Sequence, residues 1–338
     1  MRITDASYGS NEDGLIWGYH FLPDQPARPI DTDAVAQFLA AAPENDAGGF
    51  LWLHFSLSNT GSERYLRRAL ELPDAFYDSL RSEVGSTRLE LDDGALIAVI
   101  HDVLFDSSFD ASEVGTTSLC IGPRLLVSAR LRPLRSVDQL RAAVRSGQSF
   151  RSPVELLAHL LRDQASVLGE ILRKSTQQVD RIEDRLLANR IATDRTQLGS
   201  LRRSLVRLQR LLAPEPTALF RLLNRPPDWI DRDDIQDLQQ AAEEFSTAIG
   251  DSAALVERVK LIQEELAALV NEQTGRTLFV LTVVTVLALP INLIAGLFGM
   301  NVGGMPLAES RHGFWTVVVA LFVLTAILAY AAFGRRRD

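Results

Sequence analysis

The sequence predicts a mixed α/β domain that is followed by a long helical stalk and two C-terminal transmembrane helices. Three observations support this fold class: short strand-like runs before residue 130, an unbroken helical pattern from residue 231, and two uncharged apolar segments near the C-terminus. At 338 residues the chain also exceeds the usual size of one hydrophobic core. We therefore expect more than one domain.

Residues 1–150 are expected to form the α/β domain, on the cytosolic side. Strand-like runs cover 15–21, 50–57, 87–91, 95–105, 116–121 and 124–129, and helical stretches cover 32–42, 63–70, 74–82 and 134–146. Asp93-Gly94 and Gly122-Pro123 lie between apolar runs and predict tight turns. Neither a GxxxxGK[ST] nor a GxGxxG phosphate-binding motif occurs there, which argues against a nucleotide-dependent enzyme.

Residues 151–230 are expected to form a helical hairpin region, and 231–298 one continuous helix roughly 100 Å long. Residues 189–193 interrupt the hairpin, with Thr193 or Asp194 available to cap the next helix, and four prolines between 214 and 227 interrupt it again. From 235 to 270, nine of eleven positions spaced by three and four are apolar. Such a seam packs against neighbouring copies or within its own subunit, and we favour the first.

Two uncharged segments, 277–298 and 314–333, are each long enough to span a bilayer, although two buried core helices are the alternative. Arg276 precedes the first segment, and a basic tail at 334–338 follows the second. In the loop between them, 299–313, Arg311 is offset by Glu309. The distribution of arginines predicts a multi-pass inner-membrane protein with both termini cytoplasmic and an outer loop.

Charge and cysteine content narrow the class of partner. Residues 1–276 carry 31 Lys+Arg against 41 Asp+Glu, and the remaining residues carry four against two, which gives the overall net charge of −8. An acidic body argues against nucleic acid and is compatible with attracting cations. The single cysteine, Cys120, excludes an intramolecular disulfide, and the first eight residues lack the apolar run of a secretory signal.

Two antiparallel helices enclose no path for a hydrated ion, so conduction requires several copies around an axis. The helical period predicts that six residues of the first span line the pore: Leu278, Thr282, Thr285, Leu289, Asn292 and Gly296. The strongly polar side chain within this span is an amide, at Asn292. Intramembrane polar groups face a cavity or bond to a neighbouring helix, and both alternatives remain open here.

Gly299, Met300 and Asn301, directly after the first of two C-terminal spans, resemble the signature of the CorA superfamily of divalent-metal transporters. The likeness covers the whole chain. The loop at 301–307 reads NVGGMPL, with Leu307 where the magnesium-type branch usually carries a glutamate, and it looks like the ZntB-type zinc-transporter branch. This resemblance implies a homo-pentameric funnel that moves Zn²⁺, with proton coupling proposed. A CorA-type channel for Mg²⁺ or Co²⁺ is the alternative.

The expected pore mouth is neutral in formal charge. Carbonyls at the C-terminus of the first span and a ring of Asn301 amide oxygens would hold a hydrated dication, such as Zn²⁺, Mg²⁺, Co²⁺ or Ni²⁺, only transiently. No HxH or CxxC spacing occurs, so we expect no tight metal site and no resident cofactor. His312 in the outer loop either contacts incoming zinc or is an ordinary surface histidine, while His54, His101 and Cys120 are expected to be packed.

Two other functions are alternatives to transport. A membrane-anchored coiled-coil sensor is disfavoured because the outer loop is too short for a ligand-binding domain. A membrane-bound enzyme is disfavoured because no nucleophile–base pair, Gly-rich loop or metal cluster is evident. The acids of the stalk are expected to form a mostly solvated helix face: Glu243, Glu244, Asp251, Glu257, Glu264, Glu265 and Glu272.

Overall fold

The computed structural model describes residues 9–23, 25–40, 49–81, 87–105, 114–188, 194–300 and 311–334. It confirms the fold class, with a mixed α/β domain, one long helix and two apolar helical segments toward the C-terminus. The chain divides into two units, Met1–Ile262 and Gln263–Asp338. The sheet and its flanking helices belong to the first unit.

The described strands of the first unit form a seven-stranded sheet in the order β2-β1-β3-β7-β6-β5-β4. The strands are β1 (Leu15–Phe21), β2 (Arg28–Pro29), β3 (Phe50–Ser56), β4 (Arg88–Asp92), β5 (Ala95–Val103), β6 (Val114–Ile121) and β7 (Leu125–Arg130). Adjacent strands pair antiparallel, except that β3 and β7 run parallel with Leu53 opposite Val127. The parallel pair joins the two antiparallel halves of the sheet.

The turn between β4 and β5 has the conformation that its sequence predicts. Asp93 and Gly94 have φ angles of 46° and 77°. Two consecutive positive φ angles match a type I′ turn, whose twist suits a two-residue hairpin. The Asp-Gly pair therefore sets the register in which Asp92 faces Ala95.

The described helices are α1 (Thr32–Ala40), α2 (Gly61–Ala69), α3 (Asp74–Arg81), α4 (Arg135–Arg145), α5 (Pro153–Leu187), α6 (Asp194–Leu212), α7 (Pro214–Leu223), α8 (Arg232–Phe298) and α9 (Gly313–Gly334). Helices of the first unit cover both faces of the sheet. Side chains alternate across β3, so Trp52 enters one core with residues of α4 and α5, while Leu51 and Leu53 enter a second core with residues of α2 and α3.

Ion pairs tie α5 to α8 within the first unit. Arg151, just before α5, contacts Asp234 at 3.2 Å near the start of α8, and it also bonds Asp237. Further along both helices, Arg258 of α8 donates to Asp180 of α5 at 2.7 Å. The two helices therefore run parallel along this length, because early residues meet early residues and later residues meet later ones.

The apolar seam of α8 packs largely inside its own chain. Leu238, Ala242, Phe245 and Val259 are buried, and the first two belong to the core beneath the sheet. The expectation that this seam contacts neighbouring copies is wrong for these positions, because they are already buried inside a single chain. An amphipathic helix and a coiled-coil helix share this three-and-four spacing, so the pattern alone does not identify the partner.

Candidate ion pathway

The second unit carries two helical segments apolar enough to cross a bilayer. Their mean hydropathy reaches 2.5 in α8 and 2.2 in α9, and only 6% of each apolar window is buried. Neither segment is therefore a core helix buried inside this chain. At the ends of α9, Phe314, Trp315 and Tyr330 are 66–81% exposed, as expected for aromatic side chains at a membrane interface.

The six predicted pore-lining residues share one exposed side of α8. Leu278 and Leu289 are 57% and 63% exposed, and the other four are exposed as well. The opposite side carries Val283, Leu287 and Ile294, which are less exposed, and also Val280, which is 55% exposed. Since successive residues are rotated by about 100°, these two sets lie on opposite faces of the helix. A single chain therefore leaves the predicted pore face uncovered.

The two threonines of this face satisfy their hydroxyls within the helix. Thr282 donates to the carbonyl of Leu278 at 2.8 Å, and Thr285 donates to the carbonyl of Leu281 at 2.8 Å. Each hydroxyl keeps its oxygen lone pairs available as an acceptor. The face therefore presents weak oxygen acceptors rather than charged ligands.

At its C-terminus, α8 ends at Phe298 and the chain turns through Gly299 and Met300. The Gly299 N–H donates to the Ala295 carbonyl at 2.9 Å. A Cβ atom at Gly299 would lie 3.2 Å from that same carbonyl oxygen, which is a tight contact. The close approach of backbone to backbone explains why glycine suits this position.

The outer-loop candidates are only partly within the described residues. Asn301, Leu307 and Glu309 lie outside them. His312 is exposed, and its backbone carbonyl accepts hydrogen bonds at 3.1 Å from both the N–H and the hydroxyl of Thr316. Its backbone thus takes part in the start of α9, whereas the imidazole is solvent-accessible.

Comparison with known proteins decides the family. Residues 47–335 match the profile of the family described as CorA-like Mg²⁺ transporter protein. This chain belongs to that family. The match includes most of the sheet, the helical region, both apolar segments and the glycine that follows α8.

Relatives within the CorA family carry different substrate names. The chain is 29% identical over 316 residues, 92% of each sequence, to the divalent cation transporter CmaX of Pseudomonas aeruginosa. It is 25% identical over 331 residues to the zinc transport protein ZntB of Yersinia enterocolitica, which covers 98% of this chain and 95% of that one. The solved structure of full-length CmaX superposes with a TM-score of 0.81 at 25% identity and covers 98% of this chain and 100% of its own.

The first unit also contains a carboxyl cluster that the sequence did not suggest, in which Asp102 and Glu215 are buried and Asp163 is partly buried. Asp102 follows His101 on β5, Asp163 lies on α5, and Glu215 lies on α7. Burial raises the pKa of Asp102 to about 6 and that of Glu215 to about 7. Burial and the charge of Asp102 raise the pKa of Asp163 to about 7. These acids therefore exchange protons near neutral pH.

Hydrogen bonds fix the orientations of the Asp102 and Glu215 carboxylates. Asp102 accepts from the Ser136 hydroxyl at 2.8 Å, and Glu215 accepts from the His101 backbone N–H at 2.7 Å. The second carboxylate oxygen of Glu215 has no hydrogen-bond partner among the described residues. One sequence signal indicates that Glu215 is buried: it stands between two prolines, next to an apolar run.

The expected burial of His54, His101 and Cys120 and the expected exposure of the stalk acids are confirmed. His54, His101 and Cys120 are each at most 4% exposed. His54 is held between Ser128, at 2.7 Å from its Nδ1, and the Nε of Arg130, which donates to its Nε2 at 2.9 Å. The seven acids of α8 from Glu243 to Glu272 are all exposed. Within the described part of the chain, no group of three or more His, Cys, Asp or Glu could hold a metal ion.

Proposed function

We propose that this chain moves divalent cations, and zinc in particular, across the inner membrane through a pore lined by the first span of a homo-oligomer. One observation carries the proposal: the face of α8 from Leu278 to Gly296 is uncovered in the single chain and leads directly to Gly299. A membrane helix with threonine hydroxyls and the amide of Asn292 on one face is expected to direct them at a cavity rather than at lipid.

The number of spans in each copy explains why several copies must surround the pore. Two helices enclose no channel, so each copy contributes one α8 to a closed ring, and the family resemblance suggests five copies. In this arrangement 277–298 is the inner span, 314–333 the outer span, and 299–313 the external loop. Residues 1–150, 151–230 and 231–276 are the cytosolic α/β domain, hairpin region and stalk, and both termini lie in the cytoplasm.

The mouth selects for charge and size without holding the ion tightly. Each copy adds the carbonyls near the end of α8, about half a negative charge, and the Asn301 amide oxygen. A ring of such dipoles attracts a dication through its hydration shell. Because the ring carries no formal charge, the ion leaves again readily, which conduction requires.

Zinc is the preferred substrate because the loop at 301–307 resembles the ZntB branch and a ZntB protein is among the full-length relatives. Proton-coupled transport follows from the same resemblance. The second candidate is a channel for Mg²⁺ or Co²⁺, which the name of the matched family favours. A membrane-anchored sensor is the third, and transport of any ion by the purified protein would exclude it as the main function.

The test is uptake of Zn²⁺, Mg²⁺, Co²⁺ and Ni²⁺ into proteoliposomes, with and without a proton gradient. Leu289→Trp should block uptake by filling the pore face, whereas Val280→Trp, on the opposite side of the same helix, should not. Uptake that is fastest for Mg²⁺ would favour the second candidate. No uptake of any ion, or full uptake by Leu289→Trp, would sink the proposal.

A further inference from the structure

A wide polar groove lies between α5 and α6 in the first unit. Its volume is about 1260 Å³. Five cationic side chains line it, and among the described lining residues none is Asp or Glu. The five cations of this basic groove are Lys174, Arg181, Arg185, Arg203 and Arg207. Glutamines and serines fill the spaces between them.

Helix α6 is positively charged, although the chain as a whole is negatively charged. Helix α6 contains five arginines and one acid, Asp194, for a net charge of +4. The chain as a whole has a net charge of −8. A helix this basic in an acidic protein is a localised patch, and such patches attract a surface of opposite sign.

Most of the groove cations are available to a partner. Lys174 pairs with Glu170 at 2.7 Å. Among the described residues, Arg181, Arg203 and Arg207 have no carboxylate within salt-bridge distance, and all three are exposed. Close cations repel one another, so an anionic surface in the groove would relieve that repulsion.

The same chain carries a complementary surface. The part of α8 within the first unit, from Arg232 to Ile262, has seven acids against three bases, a net charge of −4. Asp251 and Glu257 are exposed there. Lys260 pairs with Glu257 at 2.9 Å, whereas Asp251 has no cationic partner in the described residues.

The two surfaces lie at the same height. Arg258 of α8 bonds to Asp180 and Glu183 of α5, so the α5 segment that lines the groove runs beside the α8 segment that contains Asp251 and Glu257. Cyclic symmetry rotates copies about an axis without translating them along it. If the stalk helices follow that axis, the acidic segment of one copy meets the groove of the next at the same level.

We infer that the basic groove between α5 and α6 is the docking surface for the acidic face of α8 on a neighbouring copy. The inference rests on the proposed function, which requires a ring. Groove and acidic face are different parts of the chain, so the contact is head-to-tail. Such heterologous contacts generate closed rings, whereas a contact of one surface with itself stops at a dimer.

Charge reversal tests the pairing in the full chain solubilised in detergent, with mass measured by light scattering across a dilution series. Arg203→Glu and Asp251→Arg should each raise the concentration at which the ring dissociates by about tenfold, and the double variant should recover most of that loss. Arg210→Glu is the matched control, because Arg210 is an exposed arginine of α6 outside the groove lining. It should leave the mass unchanged.

Three results would overturn the inference: a wild-type mass that both reversals leave unchanged, a double variant with additive losses, or tight binding of pyrophosphate to the assembled protein that Arg203→Glu removes. The last result would make the groove a solute site. Zinc uptake by the same preparations separates the two proposals. An assembled, transporting Arg203→Glu protein contradicts only the docking surface, whereas a transporting wild-type monomer contradicts the ring itself.

Discussion

The backbone N–H of His101 donates to Oε1 of Glu215 at 2.7 Å, although the two residues lie 114 positions apart in the chain. This bond joins β5 to the first turn of α7. Thr87 contacts Nδ1 of His101 at 3.1 Å, and Gln164 of α5 bonds to the His101 carbonyl. Helices α5 and α7 and the residue before β4 thus meet at one buried histidine. Burial keeps the adjacent Glu215 carboxyl protonated to a higher pH than usual.

Protonation of Asp102 and Glu215 should stabilise the folded chain at low pH, and this stabilisation should be lost as pH rises to about 7. Burial raises the pKa of Glu215 from 4.5 to about 7 and that of Asp102 from 3.8 to about 6. Between the ordinary and raised values the folded chain binds more protons than the unfolded chain, so this stabilisation is complete at low pH and lost as pH passes the raised value. Each carboxyl contributes a slope of up to about 1.4 kcal/mol per pH unit.

Glu215→Gln isolates this contribution from other carboxylates. The amide keeps an oxygen for the His101 N–H but takes up no proton. Denaturant unfolding, followed by tryptophan fluorescence, should show the variant gaining stability relative to wild type as pH rises from 4.5 to about 7. A stability difference between variant and wild type that stays constant over this pH range would contradict the prediction.

Cysteine modification should map the pore face of α8. Leu278 and Val280 are 57% and 55% exposed but point about 200° apart around the helix. After treatment with a charged thiol reagent, Leu278→Cys and Thr285→Cys should lose most zinc uptake, whereas Val280→Cys should retain it. The native background is low because burial raises the pKa of Cys120 to about 12, which keeps its thiol protonated. Equal loss in all three variants would contradict the assigned face.

Asn301→Ala should reduce uptake strongly and leave the oligomeric mass unchanged. Each lost amide contact to a charged, hydrated ion costs about 1.5 kcal/mol or more, which corresponds to about tenfold. Asn301→Asp provides the comparison, because it restores an oxygen and adds charge. Normal uptake by a well-assembled Asn301→Ala protein would rule out the amide ring as the entry site.

Gly299→Val should also abolish uptake, for a steric reason. A Cβ atom at this position already lies 3.2 Å from the Ala295 carbonyl oxygen, and a β-branched side chain adds two carbons beside it. Gly299→Ala should retain partial uptake, since a small shift relieves a single tight contact. Similar uptake by the alanine and valine variants would mean that backbone crowding is not the cause.

Leu307→Glu should raise apparent affinity for every dication and weaken the preference for zinc. Carboxylates near the axis each add about 1 kcal/mol or less at an exposed position, and hydrated Mg²⁺, Co²⁺ and Zn²⁺ feel the same attraction. Flux at two ionic strengths checks the mechanism. A gain that persists at high salt, or a loss for all ions, would show that the substitution acts through loop packing instead.

The order of the α/β domain, the helical stalk and the two spans can be predicted from the sequence. Hydrophobic periodicity and the length of an apolar segment depend only on neighbouring residues. The Asp93-Gly94 hairpin, the start of α6 and the two spans all follow from neighbouring residues. Helix α7 is not evident from the sequence, because a proline such as Pro214 usually interrupts a helix. Proline at the first position of a helix lacks only an N–H that would be unpaired there, so Pro214 begins α7 instead.

Features that depend on distant residues could not be predicted. The carboxyl cluster requires β5, α5 and α7 to meet, and these elements are far apart in the sequence. The seam of α8 shows the same limit, since its spacing was visible but its partner was the chain's own core. Local pattern fixes which face of a helix is apolar, and tertiary contacts decide what covers it.

The parallel pairing of β3 with β7 has a consequence for the order of folding during synthesis. Trp52 of β3 donates a hydrogen bond to Ser128 of β7 at 2.9 Å, and the two residues lie 76 positions apart. The sheet therefore cannot form completely until β7 has been synthesised. Contacts this distant in sequence form slowly, because the intervening chain must be ordered first. We expect the nascent chain to expose the edge of β3 until residue 130 has left the ribosome. The apolar segments follow more than a hundred residues later, so the sheet can be complete before the first span reaches the membrane.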